Sequence, residues 1–250
     1  MLFRSEQWTH TQLLYVCSPG NPTGRVLDLD GWRALFARAD RHGFVIASDE
    51  CYSEIYPDEA SPPLGGLAAS EQLGRDGFHN LVVFTSLSKR SNVPGLRSGF
   101  AAGDRKVIDR FALYRTYHGT ALSNTSQLAS AAAWKDEAHV VENRRLYREK
   151  FAAFYERVNP VLPLARPEAA FYYWVAVPGG DDLGFTRDLY AATNVMVLPG
   201  TYLSRDAHGI NPGRGFVRMA LVSTVEETLE AAGRIAEFAA CRRSSTSSIA

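Results

Sequence analysis

The sequence is poor in cysteine and has no surplus of either charge. Its three cysteines, Cys17, Cys51 and Cys241, give an odd count with no paired spacing, which argues against a disulfide framework or a zinc knuckle and for reduced thiols. Lysine plus arginine and aspartate plus glutamate number 27 each, so no charge excess invites nucleic acid or a charged membrane surface. Apolar runs are short and broken by charge, and the first residues lack the basic-then-apolar layout of a secretory signal. We therefore expect a cytoplasmic protein with neither membrane nor nucleic-acid partners. The six histidines have no metal-ligand spacing, and no metal is expected. No segment repeats.

What the chain does have is an alternation of strand-like and helix-like segments. With 250 residues, 46% of them hydrophobic, it suits one large or two smaller domains. An apolar run at 13–17 ends in a Pro/Gly turn. Asp28 can then cap a helix whose Trp32, Leu35, Phe36 and Ala39 recur at helical spacing, with Gly43 as its stop. Residues 44–47 read as a buried strand ending at Ser48-Asp49, residues 81–85 as another ending before Ser86, and residues 99–102 as a third before a helix at 104–118. Residues 59–77 turn to Pro, Gly, Ala and Ser and read as a surface excursion with one helical turn. A helix opening at Asn124 or Thr125 and a long one at 140–158 follow. Pro160, Pro163 and Pro167 then precede strands at 171–177, 195–198 and 216–222 and a closing helix at 224–240. Residues 242–250 are Ser-rich and expected to fray. The alternation predicts a mainly parallel sheet flanked by helices over 1–155 and a smaller α+β domain over 156–250.

Such sheets bind ligands beyond the carboxyl ends of their strands, and the chemistry-bearing residues cluster there. Lys89 lies in Ser86-Leu87-Ser88-Lys89-Arg90-Ser91-Asn92-Val93-Pro94-Gly95-Leu96-Arg97, an amine among hydroxyls with a further cation downstream. This is the setting of a lysine that forms a Schiff base with a phosphorylated aldehyde, and pyridoxal 5'-phosphate (PLP) fits. A carboxylate must face the pyridine nitrogen, and Asp49 is the candidate. Asn21 and Tyr52 can hold the phenolic oxygen, while Ser86, Ser88 and Arg97 suit the phosphate. Plainer readings exist, because Asp after a strand often caps a helix and Asn-Pro-Thr-Gly is a turn sequence.

Together, Asn21-Pro22-Thr23-Gly24, Asp49 with Tyr52, Ser86-x-Ser88-Lys89, Arg97 and Arg218 resemble the fold-type I, aspartate-aminotransferase-like PLP enzymes of class I/II. The resemblance implies an α/β PLP-dependent-transferase fold and aminotransfer between an amino acid and a 2-oxo acid. It also implies Lys89 as the catalytic residue and cofactor anchor. Asn21, Asp49, Tyr52, Ser86, Ser88 and Arg97 are the implied cofactor ligands, and Asn21 and Arg218 the substrate ligands, with Arg218 on the α-carboxylate. The segments 88–100, 198–204, 209–213 and 217–222 resemble bacterial succinyldiaminopimelate transaminases more narrowly. Those enzymes pair N-succinyl-LL-2,6-diaminopimelate with 2-oxoglutarate in lysine biosynthesis.

The family carries a long segment ahead of its Asn-Pro-x-Gly patch, with an N-terminal arm, a phosphate-binding turn and a stacking aromatic. Here Asn21 follows Met1 closely, so we expect the C-terminal portion of a longer enzyme. A homodimer is implied for the full-length form. A C-S lyase or decarboxylase of the same fold, or a non-catalytic remnant, stays open as an alternative.

Overall fold

The computed structural model describes residues 5–119 and 121–247. It groups them into two compact units. Unit 1 comprises the described residues up to Asn21, with Arg25–Arg144 and Glu168–Ala170; unit 2 comprises Pro22–Gly24, Arg145–Pro167 and the described residues from Phe171 onward. The division falls at Arg144 and Arg145, earlier in the chain than the change expected near 155, and Phe154 belongs to the unit 2 core.

Unit 1 is built on a four-stranded sheet in the order β1-β2-β3-β4. β1 (Leu13–Cys17) is followed by α1 (Leu29–His42) and β2 (Val45–Asp49), the segments the sequence marks most clearly. The Asp28 carboxylate accepts the Gly31 N–H at 2.7 Å, and Gly43 ends α1 in the left-handed conformation at φ 76°, donating its N–H to Ala39 O. Trp32, Leu35, Phe36 and Ala39 are all buried, as their spacing requires. Each large apolar side chain so buried stabilises the fold by about 1.5–3 kcal/mol.

The helical turn expected in the surface excursion is α2 (Gly66–Gln72), and it is not superficial: Ala69 lies in the core with Leu64, Leu67 and Leu73 packed against it. Its small residues are what permits close packing, so a composition typical of loops conceals a core element. β3 (Leu81–Ser86) pairs parallel with β2, and α3 (Leu87–Arg90) follows it directly. β4 (Gly99–Gly103) then runs antiparallel to β3.

α4 (Arg105–Tyr117), α5 (Asn124–Lys135) and α6 (Ala138–Val158) complete the series, with Asp104 and Ser123 capping the first two. One sheet face, with Leu14, Ile46, Leu81 and Val83, packs on Trp8, Trp32, Leu35, Phe36 and Phe44. On the other, Leu13 and Tyr15 are exposed, and Phe84 meets Phe111 of α4 edge-on at 6.3 Å.

Unit 2 has an antiparallel sheet in the order β5-β7-β6, from β5 (Tyr172–Ala176), β6 (Leu198–Pro199) and β7 (Phe216–Ala220), with α7 (Asp182–Thr193) and α8 (Val225–Ser247). β6 is shorter than the strand expected at 195–198. α8 continues to Ser247, past the residue at which fraying was expected to begin; residues 248–250 lie outside those described. Val175, Val217 and Met219 from the sheet meet Phe185, Leu189, Ala232 and Ile235 from the helices in one core.

Asp182 ties this unit together. Its carboxylate accepts the Thr201 N–H at 2.8 Å, the Thr201 hydroxyl at 3.0 Å and the Gly215 N–H at 3.1 Å. Burial pushes its pKa up, but these donors outweigh burial and hold it below the ordinary aspartate value. A depressed folded-state pKa contributes stability that is complete above the unfolded value, about 4, and is lost as pH falls through the folded one. Asp182→Asn is therefore expected to lower the melting temperature at pH 7 and to flatten the acid decline below about pH 5. Melting curves of the two proteins that stay parallel from pH 7 to pH 3 would contradict this.

Among the described residues no helix is long and apolar enough to cross a membrane, and no group of His, Cys, Asp and Glu could hold a metal ion.

Candidate active site

Three parallel strands end side by side in unit 1. The register sets Cys17 of β1 opposite Asp49 of β2, and Asp49 opposite Phe84 of β3. β3 runs on to Ser86 and α3 begins at once, with Lys89 as its third residue. The candidate carboxylate ends β2 and the candidate amine lies just past the end of the neighbouring β3, where open α/β sheets hold ligands.

Backbone bonds fix the turns that carry them. Ser18 N–H donates to Asp49 O at 3.1 Å and Glu50 N–H to Phe84 O at 2.8 Å, which continues the sheet pairing past the strand ends. Asp49 Oδ1 accepts the Cys51 N–H at 3.1 Å, a short Asx-type turn that orients an otherwise exposed carboxylate. Its neighbour Glu50 is buried and accepts the Ser48 hydroxyl at 2.9 Å and the Gly66 N–H at 2.7 Å. Burial raises the Glu50 pKa, and both of those donors restrain the rise. Asp49 stays exposed at the strand end while Glu50 anchors the turn to α2, a division that adjacent acidic letters in a sequence do not reveal.

Asn21 and Tyr52 do come together, the amide Nδ2 donating to the phenol oxygen at 3.4 Å. The Ser86 hydroxyl lies 3.5 Å from the Cys51 sulfur, whose thiol burial pushes up to about 11, so Cys51 is a neutral packing group at physiological pH. Ser88 and Lys89 are half-buried on α3. Leu87 N–H donates to Ser98 O at 3.1 Å, which closes the loop bearing Ser88, Lys89 and Arg97. Arg97 is exposed, takes a left-handed backbone at φ 51°, and donates from Nη1 to Pro94 O at 3.0 Å. Asn21, Asp49, Tyr52, Ser86, Ser88, Lys89 and Arg97 therefore all belong to unit 1.

Arg218 belongs to unit 2, on β7, in register with Trp174 and Leu198. It is half-buried, and its guanidinium lies 5.2 Å from the centre of the Tyr172 ring, a cation–π contact.

Sequence reading missed the set of contacts directly after Lys89: Arg90 with Glu137, Ser91 with His139, and Asn92 with Asn143. No spacing in the chain could have signalled it, since the partners meet only when α5 and α6 return over α3.

A primary amine, a strand-end carboxylate, hydroxyls, a phenol and a guanidinium are the donor set a phosphorylated pyridine aldehyde calls for, so the residues fit PLP. Fold and donor set together suit a class, the α/β proteins that hold this cofactor at the carboxyl ends of their strands. The chain belongs to the aminotransferase class I and II family, whose model matches residues 4–235.

Among solved structures, an aminotransferase from Neisseria meningitidis is 54% identical with a TM-score of 0.90, over 94% of this chain and 60% of that one. A probable N-succinyldiaminopimelate aminotransferase from Thermus thermophilus is 30% identical with a TM-score of 0.79, over 94% of this chain and 61% of that one. A probable aminotransferase of Mycobacterium tuberculosis is 32% identical over 89% of this chain and 51% of its own length. The chain spans about half the length of the curated relatives it matches.

Proposed function

We propose that the protein is a PLP-dependent aminotransferase that exchanges an amino group between an amino acid and a 2-oxo acid. What carries this reading is the meeting of Asp49, the Asn21–Tyr52 pair and the Lys89 turn at the carboxyl ends of β1, β2 and β3. PLP, when bound, draws electrons from the substrate α-carbon. Asp49 keeps the pyridine nitrogen protonated, and Asn21 and Tyr52 hold the phenolic oxygen. Ser86, Ser88 and Arg97 take the phosphate, and Arg218 grips the substrate carboxylate with two parallel hydrogen bonds. Lys89 would hold the cofactor, and its amine would serve as the base for the substrate α-proton.

For the substrate we propose N-succinyl-LL-2,6-diaminopimelate with 2-oxoglutarate as amino acceptor. The Thermus protein supports the succinylated substrate, and several curated LL-diaminopimelate aminotransferases support the diaminopimelate frame, one of them, from Natranaerobius thermophilus, 29% identical over 91% of this chain. A cytoplasmic homodimer completes the proposal.

The test is spectroscopic. Protein with PLP is expected to develop a visible band. Amino donors should bleach it with release of one 2-oxo acid per site, N-succinyl-LL-2,6-diaminopimelate acting faster than LL-diaminopimelate, aspartate or tyrosine. Bleaching with release of ammonia or carbon dioxide would replace transamination by lyase or decarboxylase chemistry. No band at saturating PLP would leave a non-catalytic remnant.

A further inference from the structure

α3 is a single helical turn, too short to fix its own direction, because nucleating one turn is unfavourable without tertiary support. Its support comes from the residues just after Lys89, all held within unit 1. Arg90 is 3% exposed, donates from Nη1 to Ala133 O at 2.8 Å, pairs with Glu137, and lies 5.1 Å from the centre of the Trp134 ring. Ser91 Oγ lies 2.8 Å from His139 Nε2, and His139 Nδ1 lies 2.9 Å from Asp136 Oδ2. Asn92, left-handed at φ 54°, donates its Nδ2 to Asn143 Oδ1 at 2.9 Å.

The line Ser91–His139–Asp136 has the order of a hydrolytic triad, but its surroundings are those of a brace. The Ser91 N–H, which would have to help hold an oxyanion, donates instead to Leu87 O at 3.0 Å. Asp136 also accepts the Ala138 N–H at 2.9 Å, at the start of α6. The hydrogen bond from His139 holds the Asp136 carboxyl below its ordinary pKa. An ionised Asp136 can only accept, so Nδ1 carries the proton and, in the neutral ring, Nε2 accepts from the Ser91 hydroxyl.

We propose that Arg90, Ser91 and Asn92, braced by His139 and the start of α6, form a positioning clamp that sets the reach of the Lys89 amine toward the PLP aldehyde. The inference rests on the function proposed for Lys89. These are positioning residues and touch neither cofactor nor substrate.

The experiment uses His139→Ala, His139→Gln and His139→Asn. A glutamine amide can occupy the place of Nε2 and keep the bond to Ser91, whereas asparagine reproduces only Nδ1. Each protein is treated with PLP, fixed with borohydride, and the pyridoxyl label at Lys89 is followed by peptide mass spectrometry against Lys106, Lys135 and Lys150. Labelling at Lys89 is expected to slow about tenfold in His139→Ala and His139→Asn and to recover in His139→Gln, with the other lysines unchanged. Wild-type labelling rates in His139→Ala overturn the clamp.

If wild type itself takes no label at Lys89, the proposed function fails, and hydrogen exchange then decides the clamp separately. The Ser91 and Val93 amides, both bonded to Leu87 O, should exchange about tenfold faster in His139→Ala, and unchanged exchange overturns the clamp.

Discussion

Lys89→Ala is expected to take no borohydride-fixed label at position 89 and to slow amino transfer by about a thousandfold or more, at or above the middle of the range for losing a positioned general base. Two roles are lost with one amine, the covalent hold on the cofactor and the carrier of the α-proton. Small primary amines added to solution are expected to restore part of the proton transfer, because they return a base without the tether. Single-turnover mixing, followed by loss of the visible band on adding the amino donor, separates these roles. A Lys89→Ala protein that turns over at the wild-type rate would remove the central residue from the proposal. Melting of the variant should match wild type, since Lys89 is half-buried at the end of a short turn and outside the apolar cores.

Asp49→Asn should have the second largest effect, a fall of about a thousandfold in single-turnover rate with the label at Lys89 retained. An amide can meet the pyridine nitrogen but carries no charge to keep its proton, and three decades in rate correspond to about 4 kcal/mol of transition-state stabilisation. The turn itself should survive, because an asparagine Oδ1 can still accept the Cys51 N–H as the carboxylate does. Asp49→Glu should also be impaired, since the added methylene displaces the charge from its strand-end position. An Asn variant within tenfold of wild type would give Asp49 back its plainer role as a turn residue.

What the sequence made legible was local. α1 announces itself through Asp28, Gly43 and four apolar residues on one stripe, and its cap, stop and buried face all stand where expected. The Lys89 turn is equally plain, because the strand before it and the hydroxyls around it lie within one short stretch. What stayed hidden depends on partners distant in the chain. β4 pairs antiparallel to β3, α2 is a core element despite its loop-like composition, and the brace on Ser91 exists only through α6. Arg218 illustrates the division: its apolar strand was readable, but its contact with the Tyr172 ring needed the paired sheet.

Tyr15 at 78% exposure and Leu13 at 47% give unit 1 an oily strip of water-facing surface, while the chain as a whole carries no net charge at pH 7. With no mutual repulsion to hold copies apart, this polypeptide handled by itself will salt out at low sulfate and bind phenyl resin firmly. Moving the buffer well away from neutrality, where like charge accumulates, will keep it dispersed.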